Sequence, residues 1–182
     1  MLTKEERDFL LKLARDTIGA RLGKNEPSDI SPDSSVLSEL RGAFVTLHKH
    51  GALKGCIGYV EAIKPLYQTV REMAVAAAFQ DPRFESVTGD EFDQIEIEIS
   101  VMSPIKKISN IDEIEVGKHG LIMKSGFNQG LLLPQVATEQ GWDKETFLEH
   151  TCNKAGLYGD CWKKPDTEIS IFSAEVFSEK NY

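Results

Sequence analysis

The chain has 182 residues, of which 41% are hydrophobic and 27% charged, and its 21 Lys and Arg against 29 Asp and Glu leave a net charge of -8. That composition excludes disorder of the whole chain and a general basic footprint for duplex nucleic acid, and the length fits one domain of at most two lobes. No apolar run approaches the ~20 residues that cross a bilayer, and Met1–Glu6 lacks the charged-then-apolar order of a signal peptide. A cytoplasmic location without membrane contact is therefore expected. The odd number of cysteines, Cys56, Cys152 and Cys161, suits free thiols better than a disulfide framework. No pair has C-x-x-C spacing and His48, His50, His119 and His150 are scattered, so no metal is expected.

In chain order, Thr3 and Glu6 stand at capping-box spacing, and Phe9, Leu10, Leu13, Ala14 and Ile18 form one stripe of a helix from about Thr3 to Ile18 that Gly19 and Gly23 should end. Lys24–Ser35 has the Pro, Ser, Asp and Asn of a surface loop. Two strand-like runs, 43–48 and 53–60, flank a His50-Gly51 turn and predict a hairpin. A helix follows, with Pro65 in its first turn, an apolar face of Leu66, Val70, Met73, Ala74 and Ala77, and a stop at Asp81-Pro82. Ile95, Ile97, Ile99 and Val101 then alternate with Glu96, Glu98 and Ser100 as a strand whose polar face should meet water.

The order hairpin, helix, strand then repeats: 121–124 and 131–133 around a Gly126–Gly130 turn, helices near Pro134 and Asp143, and a closing strand at 169–177. The expectation is an α+β fold of two pseudo-repeated lobes, 36–102 and 117–178, within a single domain spanning 1–182, forming a mostly antiparallel, barrel-like sheet with flanking helices. Cys152 falls on the core stripe of the second helical region, whereas Cys161, beside Trp162 and Lys163-Lys164, reads as loop.

The most unusual string is Leu53-Lys54-Gly55-Cys56-Ile57-Gly58, because two glycines inside a strand mark a bulge or a close backbone approach. An unbroken register behind the His50-Gly51 turn sets 45 opposite 56, 47 opposite 54 and 44 opposite 57. Lys54, Cys56 and Gly58 then share a face with Val45 and Leu47, His48 lies on the other, and the hairpin is expected to be central and covered on both sides. An ammonium beside Cys56 favours its thiolate, and the amides flanked by Gly55 and Gly58 could hold an anion. Any base would come from elsewhere, His119, His150 or Asp81. The plainer reading makes Cys56 a small core residue. Asp81-Pro82-Arg83-Phe84 reads as a helix stop, or as a rim that aims Asp81 and Arg83 at the glycine-rich strand; His119-Gly120 reads as a turn before it reads as a base.

Leu-Lys-Gly-Cys-Ile-Gly is similar to the hallmark Leu-Arg-Gly-Cys-Ile-Gly of the AMMECR family, with Lys54 where that family usually has arginine. Asp81–Phe84, His119-Gly120-Leu121, Leu132–Ala137, Trp142 and Cys152-x-Lys154-Ala155-Gly156-Leu157 extend the resemblance over nearly the whole chain. It implies an α+β domain of two pseudo-repeated lobes without an established activity, and association with Memo-type or radical S-adenosylmethionine proteins. Two functions follow as expectations. One is a binding or scaffold module for such a partner. The other is a cleft enzyme on a small molecule or modified nucleotide, with Cys56 and Lys54 catalytic and Gly55, Gly58, Asp81, Arg83 and His119 binding the ligand. Neither reading names a cofactor.

Overall fold

The computed structural model describes residues 1–26 and 31–180. Its elements in chain order are helix α1 (Lys4–Arg21), strands β1 (Ala43–Lys49) and β2 (Ala52–Tyr59), helix α2 (Leu66–Phe79), strands β3 (Ile95–Met102), β4 (Lys106–Ile108), β5 (His119–Ser125) and β6 (Asn128–Leu132), helices α3 (Pro134–Gln140) and α4 (Lys144–Lys154), and strand β7 (Glu168–Ser178). The strand pairings described are antiparallel, so the class is α+β as expected. The chain divides into two compact units, 1–102 with 175–182, and 103–174. Residues 27–30 of the expected Lys24–Ser35 loop lie outside the described residues.

In the first unit Thr3 caps α1 and Glu6 closes a reciprocal capping box. Gly19 does not end the helix: it is buried inside α1, where an added Cβ would strike the Asn25 side chain and Phe92. Gly23, at a φ of +70°, follows the end. The sheet order is β2-β1-β3, with the C-terminal end of β7 beside β3. Helix α1 packs on α2 and β3, and α2 covers β1 and β2. Between them the core gathers Leu10, Ile18, Val70, Leu47, Ile97 and Ile99. Alternation in β3 holds: Ile95, Ile97, Ile99 and Val101 are buried, and Glu96, Glu98 and Ser100 are half-buried. Arg15 ties α1 to the chain end. It bonds both carboxylate oxygens of Glu179 and the carbonyls of Phe92 and Ile95, while Glu179 accepts the N–H of Ile97.

In the second unit β7 is flanked by β4 and β5, with β6 beyond β5. Strand β6 starts at Asn128, three residues before its apolar run, because Gly126 and Phe127 alone make the turn that joins Ser125 to Asn128. Helix α4 crosses β5 and β6, and Gly130 permits it: a Cβ there would lie 2.2 Å from the Ala155 nitrogen. The core comprises Leu121, Met123, Phe147, Leu148, Ile169 and Ile171. The expectation of free thiols is corrected here, since Cys152 and Cys161 form a disulfide. Cys161 is buried within that core, contrary to its loop reading, because the short 3-10 turn Cys161–Lys163 points it inward.

Candidate functional site

The β1–β2 hairpin departs from the expected register by one residue. Lys49 pairs with Ala52 and His48 with Leu53, so the His50-Gly51 turn is as expected, with φ of +52° and +80°. Between that pair and Leu47↔Gly55 the ladder shifts, leaving Lys54 as the extra residue of a bulge. From there on Thr46 faces Cys56, Val45 faces Ile57 and Phe44 faces Gly58. A slip of one residue exchanges the two faces of a strand. Cys56 and Gly58 therefore lie with Phe44, Thr46 and His48, and Gly55 and Ile57 lie with the buried Val45 and Leu47.

The reason for the shift is packing. Gly55 sits under α2, where an added Cβ would come 2.1 Å from the Ala77 carbonyl oxygen. Without the bulge, Cys56 in place of Gly55 would take the side that the helix covers, where the close approach of α2 leaves no room for a side chain. Gly58 is likewise a close approach, with Phe44 Cγ at 2.4 Å from its ideal Cβ position. Both glycines serve the packing of neighbouring elements. Strand β2 stands at the end of the strand order, so the hairpin is not central, and the covered interior strand is β1.

Lys54 and Cys56 consequently do not form a pair. The Lys54 ammonium lies 3.3 Å from Glu91, whose other oxygen bonds Lys49 at 2.7 Å. Lys49 has the core residue Ile95 as its β3 partner, so both lysines converge from the helix-covered side. Hydrogen bonding from Lys49, then the Thr88 N–H and Lys54, holds the Glu91 carboxyl at about 2. Cys56 Sγ instead lies 3.2 Å from Thr46 Oγ1 on the opposite face.

Asp81 and Arg83 do reach Cys56, through its peptide group. The Cys56 N–H donates to Asp81 Oδ2 at 2.9 Å, and Arg83 Nη2 donates to the Cys56 carbonyl at 3.2 Å. Arg83 also bonds both oxygens of Asp81, at 3.0 and 2.7 Å. The guanidinium first, and the Cys56 N–H second, hold the buried Asp81 carboxyl well below the usual carboxylate range. The pair thus takes the place of a neighbouring strand along the outer edge of β2 at this residue. The segment also follows the end of α2, in line with its reading as a helix stop.

The cross-strand row through Cys56 contains Thr46 and Glu98, with His48 and Glu96 in the next row on the same face. His48 was expected on the other face, and the bulge brings it over. His119 opens β5 in the second unit, where its Nδ1 accepts the Glu115 N–H at 3.1 Å. His150 is stacked on Trp142 with ring centres 3.9 Å apart. Among the described residues, no group of three or more His, Cys, Asp and Glu is placed to hold a metal, and no helix is long and apolar enough to cross a membrane. Sequence reasoning missed Glu91 and Thr46. Thr88-x-x-Glu91, a local capping spacing next to two lysines in need of a counter-ion, was the available signal for Glu91; Thr46 required the bulge.

Comparison with known proteins yields one family. A family model described as AMMECR1 matches residues 11–177. A protein of Methanopyrus kandleri is 45% identical, covering 98% of this chain and 91% of its own length, and one of Methanothermobacter thermautotrophicus is 46% identical over 98% and 96%. The crystal structure of an uncharacterized protein from Pyrococcus horikoshii is similar at 40% identity with a TM-score of 0.80, covering 98% of this chain and 94% of that one.

Proposed function

The chain belongs to the AMMECR1 family, and from that premise we propose that it is a binding module for a partner protein, of the Memo or radical S-adenosylmethionine type. The observation that carries this reading is the Lys54–Glu91 ion pair on the helix side of the sheet. It holds the Lys54 ammonium away from Cys56, and it leaves the Leu53–Gly58 string as the frame of a stiff hairpin. Gly55 seats α2, Asp81 and Arg83 grip the Cys56 peptide, and His50, Gly51, Ala52 and Leu53 stand exposed at the tip. Leu53, at 40% exposure, is the apolar contact such a tip offers. The test is co-purification of the tagged chain with each candidate partner from co-expressing cells. Retention through washing, lost in Leu53→Asp, supports the module; absence of retention with both partner types overturns it.

A second reading has its own observation. Cys56 shares a sheet face with Thr46, His48 and Glu98, which supplies a thiol, a hydroxyl, an imidazole and a carboxylate to one surface. On this reading the chain is a cleft enzyme on a small molecule or modified nucleotide. Cys56→Ser would then abolish turnover with the melting temperature unchanged, and a fully active serine variant would end the case.

A further inference from the structure

The first unit contains a hollow of about 260 Å³ between the first turns of α1 and the segment that precedes β1. Phe9, Pro32 and Leu37 give it an apolar floor, with Leu37 2% exposed and Phe9 packed against the core. Glu5, Glu6 and Asp33 border it. Among the described residues Glu6 accepts hydrogen bonds from neutral donors, the Ser34 hydroxyl and the Thr3 N–H, which keep its carboxyl below its ordinary range; Arg41 adds the least of the contributions. Glu5 and Asp33 are exposed, and among the described residues they form no ion pair. The neighbouring cation Lys4 pairs with Asp8. The start of α1 adds roughly half a positive charge, which three carboxylates outweigh.

An apolar floor under a negative rim selects a ligand with an aliphatic stem and a cationic head. The volume lies below the ~300–1,000 Å³ of pockets for drug-sized molecules, so the hollow suits one side chain. We propose that it receives a lysine side chain of a partner protein, its methylene stem on Phe9, Pro32 and Leu37 and its ammonium beside Glu5 and Asp33. Lysine fits better than arginine because the two carboxylates belong to separate segments, which a compact point charge satisfies without the planar fork of a guanidinium. A protein source fits better than a free amine because the rim is open to water. The few contacts of a small amine would be offset by its lost freedom, whereas a lysine within a larger interface shares that cost. Only the protein source of the lysine rests on the partner-binding reading.

The test is a nuclear magnetic resonance titration of the full chain with blocked Ala-Lys-Ala, blocked Ala-norleucine-Ala and n-butylammonium, following Phe9 and Leu37. The expected result is saturable perturbation of both residues by the lysine peptide, at least tenfold weaker binding of the norleucine peptide, and loss of the difference in Glu5→Gln/Asp33→Asn, with circular dichroism checking that this variant is folded. Equal binding of the lysine and norleucine peptides, unchanged lysine binding by the double variant, or perturbation of neither residue overturns the site. Butylammonium binding as tightly as the lysine peptide overturns the protein source. Peptide binding without any co-purifying partner counts against the module and leaves the hollow standing; a co-purifying partner with no peptide binding counts against the hollow alone.

Discussion

Asp81 Oδ2 lies 2.9 Å from the backbone nitrogen of Cys56, so a carboxylate just beyond the end of α2 anchors the peptide at the centre of the glycine-rich strand. The bond acts on the backbone, and the sulfur is left to Thr46.

Asp81→Asn should therefore destabilise the hairpin, lowering the melting temperature at neutral pH by about 5 °C. Because the folded-state pKa of Asp81 is depressed, its stabilisation is present above the ordinary value near 3.8 and is lost as pH falls below it. Wild type and variant should converge in urea midpoint toward strongly acid solution. A constant gap from neutral to acid pH would contradict this assignment.

Glu91→Gln should act in the same direction and over a visible window. With the folded carboxyl at about 2 against an ordinary value of 4.5, its contribution is present above 4.5 and fades as pH falls from 4.5 toward 2. Urea titrations of both proteins across that range measure it. In the same preparation, Lys54→Met should leave the rate of Cys56 alkylation by iodoacetamide within about twofold, since its ammonium is held by Glu91 on the other face. A tenfold drop in that rate would restore the Lys54–Cys56 pair.

Gly55→Ala places a methyl carbon 2.1 Å from the Ala77 carbonyl oxygen, a backbone atom that cannot swing aside. The strand or α2 must move, at a cost of about 1–3 kcal/mol or more. Gly89→Ala, which among the described residues would meet Lys24 Cε alone, at 3.7 Å, is the control and should change the urea midpoint little. Equal effects of the two substitutions would refute the close-approach account.

Removing the disulfide in Cys152→Ala/Cys161→Ala frees a loop with a sequence separation of 9 and should lower stability by about 2–3 kcal/mol. Thiol counting on the unfolded, unreduced wild type should find Cys56 alone, and a reductant should lower the melting temperature. Three titrating thiols before reduction would restore the original free-thiol expectation.

The sequence by itself determined what is local. The Thr3–Glu6 box starts α1, the Leu66–Ala77 stripe and Asp81-Pro82 bound α2, the period-two pattern makes β3, and His50-Gly51 turns the hairpin. Each rests on neighbours within a few residues, where backbone geometry and side-chain period act directly. The same locality made Glu91 accessible in principle, through its spacing from Thr88.

Tertiary structure decided which way the glycine-rich string faces. A bulge at Lys54 is set by α2 lying across Gly55, a contact with Ala77, 22 residues along the chain (77 − 55), and pattern alone gives that strand no reason to gain a residue. From that single insertion follow the separation of Lys54 from Cys56, the arrival of His48 and Thr46 beside the thiol, and the capture of the Cys56 peptide by Asp81 and Arg83. The pairing of Cys152 with Cys161 had the same origin, since only the packed core brings a helical cysteine and a turn cysteine to bonding distance.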